Sequence, residues 1–138
     1  MALINLVEPE DIFWLMVSVD QDDSTQMIHK AVAELPEDMG GWSAFLCKRM
    51  GADWFDEIRT KFTRHVSDRQ GRREETNWKS YRHELMDKLI TEWKNIPGDP
   101  TCTRDNKIKL PQIVQLLIIE KCSQSAALPD RGTMQKNS

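Results

Sequence analysis

The amino-acid sequence predicts an all-α fold, a small helical bundle closed over one central helix. Three observations carry that expectation. Gly41-Trp42-Ser43-Ala44-Phe45-Leu46 and Leu89-Ile90-Thr91-Glu92-Trp93 each set a tryptophan at helical spacing from aliphatic residues. The run Leu110-Pro111-Gln112-Ile113-Val114-Gln115-Leu116-Leu117-Ile118-Ile119 is too uniformly apolar for a surface helix and reads as a central one. No alternating stretch is strong enough to predict a sheet.

The elements follow in order. Pro9 suits the first position of a helix over 9–19, with Glu10 and Asp11 favoured in its first turn. Ile12, Leu15, Met16 and Val19 then form one apolar stripe. Asp23 is placed to cap a second helix, 24–35, with Gln26 as its reciprocal partner; Met27, Ile28, Ala31, Val32 and Leu35 are its buried face and Pro36 its stop. Gly40-Gly41 opens a third helix with Trp42, Phe45, Leu46 and Met50 inward, closed by Gly51. Asp53 caps a fourth, in which Trp54, Phe55, Ile58 and Phe62 repeat the pattern. Residues 66–77 lack periodicity and read as an exposed loop. A long helix follows over 78–95, with Tyr81, Leu85, Leu89 and Trp93 in one column. Gly98 and Pro100 end it, 98–107 is a second polar loop, and the last helix runs from about 108 to 122. The predicted domain spans 1–122 with its core over 24–122, and 123–138 reads as a frayed tail.

At 138 residues the chain is one domain, large enough for a core without staples. Three cysteines (Cys47, Cys102, Cys122) without a C-x-x-C pair argue against a disulfide scaffold and predict a reducing, cytoplasmic setting. No early basic residue or cleavage site suggests a signal peptide, and no apolar run approaches the roughly 20 residues of a membrane span, so membrane insertion is not expected. Net charge is −3 but unevenly placed: residues 1–40 sum to −8 and the remainder to +5. Two readings of the basic stretch 57–73 stay open, a solvated face or one end of a bipolar surface whose ends attract between molecules.

Chemistry-bearing patterns are missing. His29, His65 and His83 fit no zinc spacing with the cysteines, and no phosphate-binding loop, nucleophile elbow or H-E-x-x-H is present. Neither catalysis, a small-molecule substrate, a cofactor nor a metal is predicted. Nucleic-acid binding through the basic region 59–82, with Trp78, Lys79 and Arg82 extending it, is the alternative. A sequence pI near 5.6 and the acidic residues 1–40 count against it. Trp42, Trp54 and Trp93 are predicted core; Trp14 and Trp78 are open between core and interface.

These residues resemble the death-domain superfamily, closest in flavour to the interleukin-1-receptor-associated kinases and the insect Pelle and Tube proteins, a resemblance that implies a six-helix antiparallel bundle with room for an extra N-terminal helix. Trp42-Ser43-Ala44-Phe45-Leu46 is similar to that superfamily's second helix, Leu89-Ile90-Thr91-Glu92-Trp93 to its fifth and 110–117 to its sixth. Leu35 to Trp42 looks like the acidic turn before the second-helix tryptophan, and Thr101-Cys102-Thr103 like the turn entering the sixth helix. The resemblance implies a non-enzymatic cytoplasmic adaptor of Toll-like innate-immune signalling that binds other death domains, its own copies included. On that reading Asp20, Asp22, Asp23, Glu34, Glu37 and Asp38 face Arg59, Arg64, Arg69, Arg72 or Arg73 of a neighbour.

Overall fold

The computed structural model describes residues 11–19 and 26–123. It is a mixed α/β structure, which overturns the six-helix bundle and with it the death-domain resemblance. Strands β1 (Asp11–Val19), β2 (Met27–Val32), β3 (Ser43–Arg49) and β6 (Ile90–Lys94) form one antiparallel sheet in the order β2-β1-β3-β6. Strands β4 (Thr63–Asp68) and β5 (Gly71–Thr76) form a separate hairpin. The helices are α1 (Ala52–Lys61), α2 (Trp78–Leu89), α3 (Arg104–Lys107) and α4 (Gln112–Cys122).

The N-terminal helix expected over 9–19 is β1. The stripe Ile12, Leu15, Met16, Val19 has helical spacing, but Phe13, Trp14 and Val17 fill its gaps. A bulky, β-branched run buried on both faces suits a central strand and cannot be told from a helix by periodicity. Phe13, Leu15 and Val17 point into the core while Trp14 and Met16 point away. The helix expected at 24–35 is β2, and that at 41–50 is β3, where Phe45 and Cys47 alternate with Ala44 and Leu46. Gly51, expected at a left-handed helix end, has φ −77° and caps the start of α1 instead of Asp53. The helix over 78–95 stops at Leu89, because β-branched Ile90 and Thr91 extend into β6, where Ile90 pairs with Cys47 of β3.

Helices α2 and α4 lie on one face of the sheet and α1 packs on α2. Leu85, Met86, Leu89, Ile118 and Cys122 meet Leu15, Phe45 and Cys47 in one core. Trp93 stands edge-on to Phe45 with its indole N–H donating 2.8 Å to the Pro100 carbonyl, so this tryptophan is core as expected. Trp54 packs against the core, whereas Trp42 lies on the opposite face of the sheet, contrary to expectation. Asn77 caps α2 through Ser80 N–H, and Arg104 of α3 ties to Glu84 and Asp87. Ser123, expected in the tail, bridges to Met50, whose N–H donates to the Cys122 carbonyl at 2.8 Å. Among the described residues no helix is long and apolar enough to cross a membrane.

Candidate functional site

The loop expected over 66–77 is the most distinctive part of the surface. Asp68-Arg69-Gln70-Gly71 turns the chain back on itself: Gln70 N–H donates to Asp68 Oδ1 at 2.8 Å, and Gly71 takes φ 110°, which a side chain would resist. The flanking residues pair as Arg64 with Glu75, His65 with Glu74, Val66 with Arg73 and Ser67 with Arg72. Thr63 and Thr76 share a hydroxyl hydrogen bond of 2.8 Å at the base, where Asn77 N–H also donates to the Phe62 carbonyl. Beyond its base the hairpin packs on little else; α1 is the element it touches most. It is an arm carrying one partly covered apolar side chain, Val66.

A two-stranded ribbon without an apolar face is marginal in water, so cross-strand charge pairs matter here. On one face Arg64 reaches Glu75 at 2.9 Å, and Arg73 bridges Asp68 at 2.6 Å and Glu75 at 3.4 Å. Arg73 beside it, and then the Gln70 amide, hold the Asp68 carboxyl below its ordinary range. Arg64, and secondarily Arg73, do the same to Glu75. The other face carries Ser67, Arg72, Glu74 and His65, the last 3.8 Å from Glu74, around an open hollow of about 400 Å³. Arg69 at the tip and Arg72 beside it form no ion pair among the described residues and are exposed.

The arginines expected to act together are thus partly brought together. Arg64, Arg69, Arg72 and Arg73 share the arm, while Arg59 sits on α1 bonded to Asp56. Arg82 lies on α2 apart from the arm, its Nε–H donating to Gln115 Oε1 at 3.0 Å. Trp78 is 59% exposed at the foot of the arm, edge-on to Tyr81. Of the acidic set, Glu34, Glu37 and Asp38 lie exposed on the β2–β3 connection, where Asp38 Oδ1 accepts from Gly40 N–H. Asp20, Asp22 and Asp23 lie outside the described residues.

Sites for chemistry are sparse. A cleft of about 400 Å³ between the sheet and the start of α4 is lined by Val17, Val19, Phe45, Leu110, Pro111 and Val114, among others. Its one side-chain hydroxyl among the described residues, Ser43, already donates to the Asn95 carbonyl. Cys47 and Cys122 are fully buried; the contact with Cys122, then burial, pushes the Cys47 thiol up, which makes it a poor nucleophile. Among the described residues no three His, Cys, Asp or Glu side chains group as metal ligands. No family model, curated protein or solved structure matches the chain.

Sequence reasoning missed the arm itself. Its signal was there: charges of opposite sign fall opposite one another when 63–68 is folded back on 71–76 about an Asp-x-x-Gly turn.

Proposed function

We propose that this protein is a non-enzymatic association module that docks on acidic protein surfaces through the β4–β5 arm. One observation supports the reading most. The arm neutralises Arg64 and Arg73 on one face and presents Arg69 and Arg72 without counter-ions among the described residues. Guanidinium groups held this way favour planar, bidentate carboxylate partners.

Among the described residues the chain itself carries such a partner. Glu34 and Glu37 are exposed on the β2–β3 connection and pair with no base among the described residues. Arm and acidic connection are different surfaces, so a contact repeated head to tail between copies is heterologous and builds rings or open assemblies. Rim charges set encounter rate and register, so association weakens as salt rises.

Light scattering after size exclusion tests this over a range of protein concentration and salt. Mass should grow beyond a dimer at low salt and collapse to the monomer at high salt, and Arg69→Glu/Arg72→Glu should remove the growth. A monomer under every condition, or growth indifferent to both arginines, contradicts self-association through the arm.

A further inference from the structure

The sheet face turned away from the helices carries a second pattern. Register sets its side chains in rows across the strands: Ile28 and Ser18; Lys30, Met16, Ala44 and Lys94; Val32, Trp14, Leu46 and Glu92; Ile12 and Lys48, with Trp42 just before β3 under the Lys30 ammonium. No described helix covers these rows, and none of these residues belongs to the main core. Yet Met16 is 1% exposed and Ala44 0%. Two lysine side chains run across this face. Lys30 on β2 crosses β1 to set its ammonium 4.8 Å from the Trp42 ring centre, so its stem passes over Met16. Lys94 on β6 crosses β3 to reach within 5.7 Å of Trp14, over Ala44.

We infer that this face is a platform for single-stranded nucleic acid, with Trp14 and Trp42 stacking on bases and Lys30, Lys48 and Lys94 meeting phosphates. Among the described residues the three lysines face one acid, Glu92, and none of the four forms an ion pair. Two ammonium groups instead rest on tryptophan faces, a contact that a phosphate oxygen outbids in strength. When the lysines turn to phosphates, the rings they leave offer the flat surfaces on which unpaired bases stack. Strand geometry puts Trp42 about four residues along from the partner of Trp14, so the rings are roughly 14 Å apart on neighbouring strands. That spacing suits two bases of one extended strand; a duplex hides the faces of its bases.

Other occupants fit less well. A second copy placed face to face sets lysine against lysine. A membrane calls for a continuous apolar surface, whereas exposed Ile28 and Ile12 lie on either side of the lysine row. Because the whole chain is −3, the attraction is local and not long-range.

The test is fluorescence anisotropy of a labelled oligothymidylate of about 12 nucleotides, a length single-strand modules span. Parallel titrations use the same-length duplex, anionic vesicles of phosphatidylserine and phosphatidylcholine, and light scattering. The single strand should bind with tryptophan quenching, and log K should fall against log salt with a slope near −2, about 0.7 for each of three lysines. Lys30→Gln/Lys94→Gln should cut affinity at least tenfold and flatten the slope to about −0.7. Arg69→Gln/Arg72→Gln, which removes the same charge from the arm, should leave it within twofold. Trp14→Leu should lower affinity roughly tenfold, and the lysine pair keeps the test valid should that variant unfold. Absence of binding at low salt overturns the inference. So do loss of binding in the arm variant alone, preference for vesicles, and a dimer that the lysine substitutions dissolve.

Discussion

Gln115 offers a sharp test of how the helical layer is held. It is 3% exposed within the apolar run of α4, and its side chain is fully engaged. Nε2 donates to the Ile108 carbonyl at 3.1 Å and the Leu110 carbonyl at 2.8 Å, while Oε1 accepts from Arg82 Nε at 3.0 Å. One residue thereby ties the α3–α4 connection and α2 to α4. Gln115→Leu keeps the volume and removes all three bonds. Each neutral bond is worth about 1 kcal/mol and the one from a guanidinium about 1.5–3. Ile108 and Leu110 are only half-buried, so water recovers part of the loss at their carbonyls. The added apolar surface returns about another 1 kcal/mol. The net expectation is destabilisation by about 2–3 kcal/mol, a fall in Tm of roughly 6–12 °C for a domain of this size. Urea unfolding followed by circular dichroism reads it, and a double-mutant cycle with Arg82→Met should show coupling above about 0.5 kcal/mol. A neutral or stabilising Gln115→Leu would show that the polar ties contribute nothing beyond what leucine packing supplies.

Other expectations concern the thiols, the arm and Trp93. A thiol reagent should titrate one cysteine in the native protein, half-buried Cys102, and three after denaturation; rapid reaction of Cys47 or Cys122 contradicts their burial. The carboxyls of Asp68 and Glu75 sit below their ordinary values because Arg73 and Arg64 favour the charged forms. A depressed carboxyl stabilises above its unfolded pKa and stops doing so as pH falls through its folded one. Amides of 63–76 should therefore lose hydrogen-exchange protection below roughly pH 4 while the four-stranded sheet keeps its own; loss of arm protection near neutrality would point to other forces. Trp93→Phe keeps a ring against Phe45 but deletes the N–H to the Pro100 carbonyl. It should cost about 1–2 kcal/mol in denaturant unfolding, and an unchanged midpoint would show that the hydrogen bond is replaced by water.

Three helices were legible because their apolar periodicity competes with nothing else. Trp54, Phe55 and Ile58 place α1, Tyr81 and Leu85 place α2, and the apolar run over 113–119 places α4. The sheet was hidden by its own burial. Its central strands carry Phe13, Leu15 and Val17 toward the helices and Trp14 and Met16 outward under lysine stems, so both faces are apolar and the alternation that marks a strand disappears. Leu89 and Trp93 share a helical column by spacing, yet the helix ends between them and the indole finds its partner in Pro100. Local pattern could not show that β6 is held by pairing with β3, residues more than forty positions earlier. Of the candidate site, the charges were legible as a cluster; what sequence did not show is that Arg64 and Arg73 are paired on the arm while Arg69 and Arg72 are unpaired among the described residues.

Charge exchange between copies tests the association reading most directly. Arg69→Glu/Arg72→Glu gives an acidic arm beside an acidic connection, and Glu34→Lys/Glu37→Lys gives a basic connection beside a basic arm. Each variant alone should remain monomeric at low salt by light scattering. Mixed in equal amounts they should assemble, since every arm again meets a connection of opposite sign. Assembly of either variant alone, or none in the mixture when the unaltered protein assembles, would contradict docking of the arm on the β2–β3 connection.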